Sequence, residues 1–438
     1  MNFRLVIFCV LFLVLSQQGM AQDSLSNLTL EHCIALAIKN NQQSRQGEIN
    51  SELSKVNLQQ AKSNMLPDIS MRFNHNISKG RGIDPASNLY VQQKYTSGNQ
   101  DLNASVLLSN GLALLRAIRQ QSFAYQATAM DELSIKDQLT LDVILAYINI
   151  LTSSDMLSLA KNQQALTLQQ LDRLKVLQEQ GAVQPAEYYD LKGQYANDQL
   201  AVADAANSLS NARVEITRLL NIPYTENISF ASLGEAPLSP SDQAQAAELY
   251  QSAAARLGYI RSADLWKQSA VYALKSTRSA FFPSLYLGGG LTSAYSSSVE
   301  RKYINQVDDN LGRFAGLTLQ IPILSGLRTR SAVARAKLDL KSAELVAETR
   351  RNELQQTTEQ AAFNLKTAKE KYLTLQEQVA AYKESYRIAE VRFSAGAINS
   401  VEFLTSKNNM DRAGINLVIT RYEWHLRQQI VDFYNGVR

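Results

Sequence analysis

Between residues 361 and 393 the apolar positions alternate spacings of four and three: Ala361, Leu365, Ala368, Tyr372, Leu375, Val379, Tyr382, Tyr386, Ala389 and Phe393. A sustained 3.5-residue period is the seam of helices wound left-handedly about one another, so it predicts one long helix from 326 to 395. The corresponding positions in the first half of the chain carry a weaker seam: Ala146, Ile150, Ser153, Leu157, Ala160, Gln164, Thr167, Leu171, Leu174 and Gln178. Its glutamines and threonine point to neighbours on more than one side. From 68 to 78 the period changes to two. Ile69, Met71, Phe73 and Ile77 share one parity with His75, while Asp68, Ser70, Arg72, Asn74, Asn76 and Ser78 take the other, predicting a strand with one greasy and one wet face. Leu102 to Leu108, Leu285 to Leu291 and Ala315 to Ile321 alternate in the same way.

These features recur with a spacing of 215 to 216 residues, close to half the chain. Leu66-Pro67-Asp68-Ile69 matches Phe282-Pro283-Ser284-Leu285, and Ser109-Asn110-Gly111-Leu112 matches Leu324-Ser325-Gly326-Leu327. The turn around Gly181 is mirrored around Gly396. The chain therefore reads as mainly α with a small β part, in two tandem repeats of helix, strand, strand, long helix and shorter helix. The first repeat (22–220) places these near 29–64, 67–78, 101–108, 110–180 and 185–220. The second (242–438) places them near 243–280, 284–296, 314–321, 326–395 and 400–435. A linker at 221–241 holds Pro223, Pro237 and Pro240, three of the eight prolines.

Composition supports this reading. With 45% apolar and 19% charged residues, the 438-residue chain can bury a large core, and only 8 prolines and 19 glycines punctuate it. The 44 basic and 40 acidic residues form no dense cationic block, which argues against a nucleic-acid partner. Residues 1–21 have the form of a signal peptide: Arg4, an apolar run from Leu5 to Leu15, and small residues at Gly19-Met20-Ala21. Its removal leaves Cys33 as the one cysteine, so no intramolecular disulfide is expected. No later stretch is uninterruptedly apolar for about twenty residues, so a membrane crossing would use strands. Strands of about nine to eleven residues with polar loops at 79–100 and 297–313 suit that role, whereas a soluble reading is a half-buried sheet packed on helices. Four strands close no barrel; at least eight are needed, so several chains must contribute.

No catalytic, metal or cofactor set is expected. His32, His75 and His425 are far apart in the chain, with no His/Cys/Glu spacing that would make a metal site, and Gly288-Gly289-Gly290 lies within a strand rather than opening a helix.

Leu28-Thr29-Leu30, Asn40-Asn41, Leu66-Pro67, Phe282-Pro283, Leu324-Ser325-Gly326 and the paired turns at Gly181 and Gly396 together resemble the TolC-like outer-membrane efflux protein family. The resemblance spans nearly all of the chain after the signal peptide. It implies a homotrimer with a 12-stranded transmembrane β-barrel, four strands per protomer, over an α-helical tunnel reaching into the periplasm of a Gram-negative bacterium. It further implies a passive exit duct for tripartite efflux or type I secretion, set in outer-membrane lipid and docked to a periplasmic adaptor and an inner-membrane pump. By the family pattern, the acidic residue six positions beyond each tip-turn glycine lines the periplasmic aperture: Glu187 and Glu402, with Asp190 adding charge and Thr405 standing where a second such ring would be. Phe393 and Ile398 occupy places where the family can have polar gating contacts, so they read either as an aromatic and aliphatic plug or as ordinary seam packing. Read without the resemblance, Asn399 to Glu402 has capping-box spacing and Pro185 suits a first helical position. One departure is Pro322, matched by Leu107 in the first repeat, which puts the strand-to-helix geometry there in question. The rival reading is a periplasmic coiled-coil scaffold or adaptor whose sheet never enters lipid.

Overall fold

The computed structural model describes residues 27–83, 88–224, 228–233 and 245–437; the signal-peptide segment and much of the linker lie outside them. The elements run α1 (Leu30–Asn40), α2 (Gln42–Ser63), β1 (Asp68–Ile83), β2 (Tyr90–Ser109), α3 (Ala113–Glu179) and α4 (Pro185–Leu220). They continue as α5 (Ala246–Arg256), α6 (Gly258–Arg278), β3 (Ser284–Ser296), α7 (Tyr303–Asp309), β4 (Gly312–Gln320), α8 (Arg328–Ser394) and α9 (Ser400–Asn435). The duplication is carried into the structure: α3 and α8 each have 67 residues, and α4 and α9 each have 36. The start of α3 is offset from that of α8 by the same interval as the start of α4 from that of α9. Gly111-Leu112 and Gly326-Leu327, which lead into the two long helices, all take positive φ.

The first predicted helix of each repeat is broken. Asn41 is extended (φ −65, ψ 135) between α1 and α2. Leu257 (φ −63, ψ 132) separates α5 from α6 at nearly the equivalent place in the second repeat. At Asn41 the side chain holds the break. Its Oδ1 accepts from the Gln43 amide at 2.8 Å, and its Nδ2 donates to the Leu219 carbonyl at 3.2 Å. An asparagine that competes with the backbone for hydrogen bonds is at home in such a break, although both apolar patterns run through it.

Two compact units result, and each draws on both repeats. One comprises residues 46–134 and 257–353 and contains the sheet; the other comprises the described residues up to Arg45 with 135–256 and 354–437.

In the sheet unit, four antiparallel strands lie in the order β1-β2-β3-β4, so the β2–β3 pairing joins the two repeats. Rows of like parity line up across the strands, as in Met71–Leu102–Leu291 and Ile69–Ala104–Gly289–Ala315. β1 and β2 are longer than the alternation predicted, pairing without interruption out to Ile83↔Tyr90, so most of the expected 79–100 loop is ribbon. Polar residues do not prevent this, because the ladder satisfies the backbone. The expected 297–313 loop contains α7, pinned by buried Gln306. That side chain accepts from the Ser296 amide at 2.9 Å and donates to the Arg301 carbonyl at 2.8 Å. Pro322 has a visible effect. β4 stops at Gln320, two residues short of it, whereas β2 runs two residues past Leu107, through a register shift at 107/109, because proline cannot donate to a ladder.

Gly98 permits a cross-strand contact. A Cβ there would overlap the Asn74 carbonyl oxygen and the Tyr295 ring. Without one, the Tyr295 ring lies across the glycine, stacks on His75 with centroids 6.0 Å apart and hydrogen-bonds its Nδ1 through the hydroxyl.

In the helical unit the largest core gathers Leu30, Cys33 and Ala37 of α1, Val143, Ile144 and Tyr147 of α3, and Ile216 and Leu220 of α4. Linker residues join it. Ala231 and Ser229 exchange backbone hydrogen bonds with Leu28, and the buried Tyr147 hydroxyl is shared between the carbonyls of Leu28 and Ala231. Burial pushes the Cys33 thiol up to about 12, leaving it neutral and unreactive. One 18-residue window of α3 is apolar enough in composition to cross a bilayer, but half of that window is buried within the chain. All ten positions of each predicted seam are buried or half-buried.

Candidate functional site

The site is built at two helix-to-helix turns in the helical unit. α3 and α8 end alike, with glycine in the left-handed region: φ is +69 at both Gly181 and Gly396. The amides of Gly181 and Ala182 bond the carbonyls of Gln178 and Leu177, and those of Gly396 and Ala397 bond Phe393 and Arg392. This is the Schellman arrangement, which satisfies carbonyls that a helix end would otherwise leave open. Nothing lies within 4 Å of a Cβ built at either glycine, so conformation and not space selects the residue.

The following helices start differently. Pro185 opens α4 with no side-chain cap from Gln184, whereas Asn399 caps α9 by accepting from the Glu402 amide at 2.9 Å. The capping-box spacing is thus half used, since the Glu402 carboxylate lies 3.4 Å from Arg392 in a mostly exposed pair worth about 1 kcal/mol at most. Asp190 accepts from the buried Ser400 hydroxyl at 2.7 Å, tying α4 to the start of α9.

Glu187, Phe393, Gly396 and Ile398 share the wall of one cavity of about 360 Å³ between the turns, together with Arg173 and Gln170. Gly181, Asp190 and Glu402 do not line it. Arg173 crosses the cavity wall to donate to the Ser394 carbonyl at 2.9 Å and to its hydroxyl, and Gln170 donates to Glu390 at 3.0 Å. Phe393 and Ile398 are core residues within one chain, packed with Leu171, Leu174, Leu191 and Phe403. The Phe393 and Phe403 rings stack at 4.6 Å.

Farther along the same helices lies a group that the sequence reading missed. Lys407 of α9 is 2% exposed, yet it carries a charge into the core. Its Nζ is 2.5 Å from Asp411 and 3.4 Å from Asp198 of α4, itself bonded by Gln194 at 2.7 Å and by the Thr167 hydroxyl. Burial raises the Asp411 carboxyl, and Lys407 opposes that rise. The one sequence signal was the i,i+4 spacing of Lys407 and Asp411, which surface helices also show. Among the described residues no group of three metal-ligating side chains converges.

Residues 249–436 match the family model described as outer membrane efflux protein. The chain is 22% identical over 377 residues to outer membrane protein TolC of Escherichia coli K12, spanning 85% of this chain and 74% of that one. A membrane protein of Pseudomonas aeruginosa superposes with TM-score 0.81 at 16% identity, over 93% of this chain and 90% of the other. VceC, an outer membrane protein of Vibrio cholerae, superposes at 0.79 and 12% identity, over 93% and 96% of the two chains. The fold is shared with these two membrane proteins over nearly its whole length, and residues 249–436, within the second repeat, match the outer membrane efflux protein model.

Proposed function

We propose that the chain is the outer-membrane exit duct of a tripartite efflux or type I secretion system, a homotrimeric passive conduit working with a periplasmic adaptor and an inner-membrane pump. The observation that carries this reading is the sheet. Its apolar parity is uncovered in the chain, with Ile69 66%, Phe73 65% and Leu317 65% exposed, and β1 and β4 each leave an edge unpaired in a four-stranded sheet. Three such sheets joined edge to edge make twelve strands with a lipid-facing apolar band and a polar interior. A water-soluble scaffold would hold that face in water, so carbonate washing separates the readings: a barrel stays with the outer membrane and a scaffold leaves it.

Transport needs no chemistry at the cargo, and selectivity falls to charge and width at the tips. Glu187, Glu402 and Asp190, three times over, favour cations and raise the cost of passing anions, although Arg173 and Arg392 temper the first two. Phe393 and Ile398 act as packing behind the aperture. In planar bilayers the purified protein is expected to conduct cations preferentially, and Glu187→Gln with Glu402→Gln to reduce that preference. Unchanged selectivity in the double variant would discard the aperture assignment.

A further inference from the structure

The apolar face of the sheet ends in cations on the side away from the long helices. Four exposed basic residues take the parity of Ile69, Met71 and Phe73: Lys79 and Arg81 of β1, Lys94 of β2 and Arg313 of β4. No acidic residue of the described strands shares that parity. Asp68 and Asp101 lie on the other face, where Asp101 stands opposite Arg72 and accepts from the Thr292 hydroxyl at 2.7 Å. Lys79 pairs directly with Lys94 across the ribbon, which brings their Cβ atoms to about 5 Å and sets like charges against each other. A counter-anion between them removes that repulsion.

Strand geometry sets the height of this pair. Lys79 follows Asp68 by eleven residues. With about 3.3 Å of rise and a tilt of about 40°, each residue climbs about 2.5 Å, so Lys79 stands about 28 Å up, just past an apolar band of about 25 Å. Four residues earlier, the row His75–Gly98–Tyr295 supplies an aromatic girdle, with Tyr303 edge-on to Tyr295 at 4.9 Å. The ribbon that carries the cations is braced. Arg81 lies 5.5 Å over the Tyr90 ring, and on the opposite face the buried Tyr95 passes Gly82 to donate to the Ile83 carbonyl at 3.3 Å. Apolar below, aromatic at the border and cationic above, this face matches an amphiphile with acyl chains and phosphate groups. A phosphomonoester carries more than one negative charge near neutrality, which suits two opposed lysines better than a singly charged phosphodiester. We infer that Lys79, Arg81 and Lys94 of each copy bind the phosphates of a phosphorylated glycolipid of the outer leaflet, whose acyl chains lie along Met71, Phe73 and Ile77. This rests on the outer-membrane duct reading and adds to it the lipid held at the rim.

The test is native mass spectrometry of the full-length protein in detergent, titrated with diphosphorylated lipid A and, separately, with the same lipid A stripped of its phosphates. The wild type is expected to bind the phosphorylated form at least tenfold more tightly. Lys79→Gln with Arg81→Gln and Lys94→Gln should weaken that binding at least tenfold, whereas Lys79→Arg with Lys94→Arg should keep it. Lys55→Gln, on α2 and outside the sheet, serves as the control. A trimer by mass in which the triple variant binds as well as the wild type, or loses no more than the control, overturns the lipid site and leaves the duct standing. Displacement of lipid A by equimolar inorganic phosphate marks a free-anion site and likewise overturns the lipid assignment. Where the triple variant no longer forms the trimer, Arg81→Gln alone carries the test, with about fivefold weaker binding expected and unchanged binding overturning the site. A wild-type monomer by mass overturns both the site and the duct.

Discussion

Replacing Lys407 with methionine keeps the packing volume and removes the cation that pairs with Asp198 and Asp411, whose side chains are 9% and 13% exposed. Stripping the partner from a buried ion pair costs about 3–5 kcal/mol, because the remaining charges are left in a low dielectric. A ceiling comes from protonation. A buried carboxylate can take up a proton instead, and against an unfolded value near 3.9 that costs about 5 kcal/mol at pH 7.5. Burial already holds Asp411 above its ordinary value in the presence of Lys407, and loss of the lysine raises it further. A carboxyl raised in the folded state favours folding while it is protonated, and that contribution is lost as pH rises through the folded value. The penalty in the variant therefore grows with pH, from under about 1 kcal/mol near pH 4.5 to its full size at 7.5. Hydrogen exchange of peptides covering the start of α9 reads this as local opening. At pH 7.5, protection is expected to fall by about a hundredfold or more, which corresponds to about 3 kcal/mol. The difference from wild type should nearly vanish at pH 4.5. Adding Asp198→Asn and Asp411→Asn should restore protection, since an uncharged group has no unpaired charge to bury. Unchanged protection at pH 7.5, or a loss independent of pH, would refute the electrostatic account.

Two further outcomes follow from backbone geometry. Gly396→Ala places a Cβ on a residue at φ +69 with free space around it, so it should loosen the tip by about 1–2 kcal/mol, seen as faster proteolysis between α8 and α9, while Gly396→Asn should cost less. Gly98→Val should drive the Tyr295 ring off His75 and lower the temperature at which the barrel comes apart in sodium dodecyl sulfate, whereas Gly181→Ala should leave that temperature unchanged.

Local periodicity by itself determined the long helices and the strands, their order and their duplication, but not the helix breaks at Asn41 and Leu257 or the short helix α7. The 3.5-residue seam gave two long helices of equal length, with its weaker copy equally turned inward. The alternation from Asp68 to Ser78 named the apolar parity of the sheet, and the Gly181 and Gly396 motifs located the turns. Such features are written in residues a few positions apart, where spacing alone decides which face a side chain occupies. Long-range pairing decided the rest. Asn41 breaks a helix by reaching Leu219, 178 residues away, and the ribbon of residues 79–83 with 90–94 exists because β1 and β2 pair beyond the alternating core. Glu187 was legible as an acid after a turn, but only the packing of two hairpins puts it in one cavity with Phe393 and Ile398. Lys407 reads in sequence as an ordinary helix-surface lysine, and it is buried because α4 supplies Asp198 across the interface. The exposed apolar stripe of α2, Ile49, Leu53 and Val56, shows the same division. Its spacing was present in the chain from the start, but only the tertiary structure shows that it faces out, because burial depends on what the rest of the chain leaves uncovered.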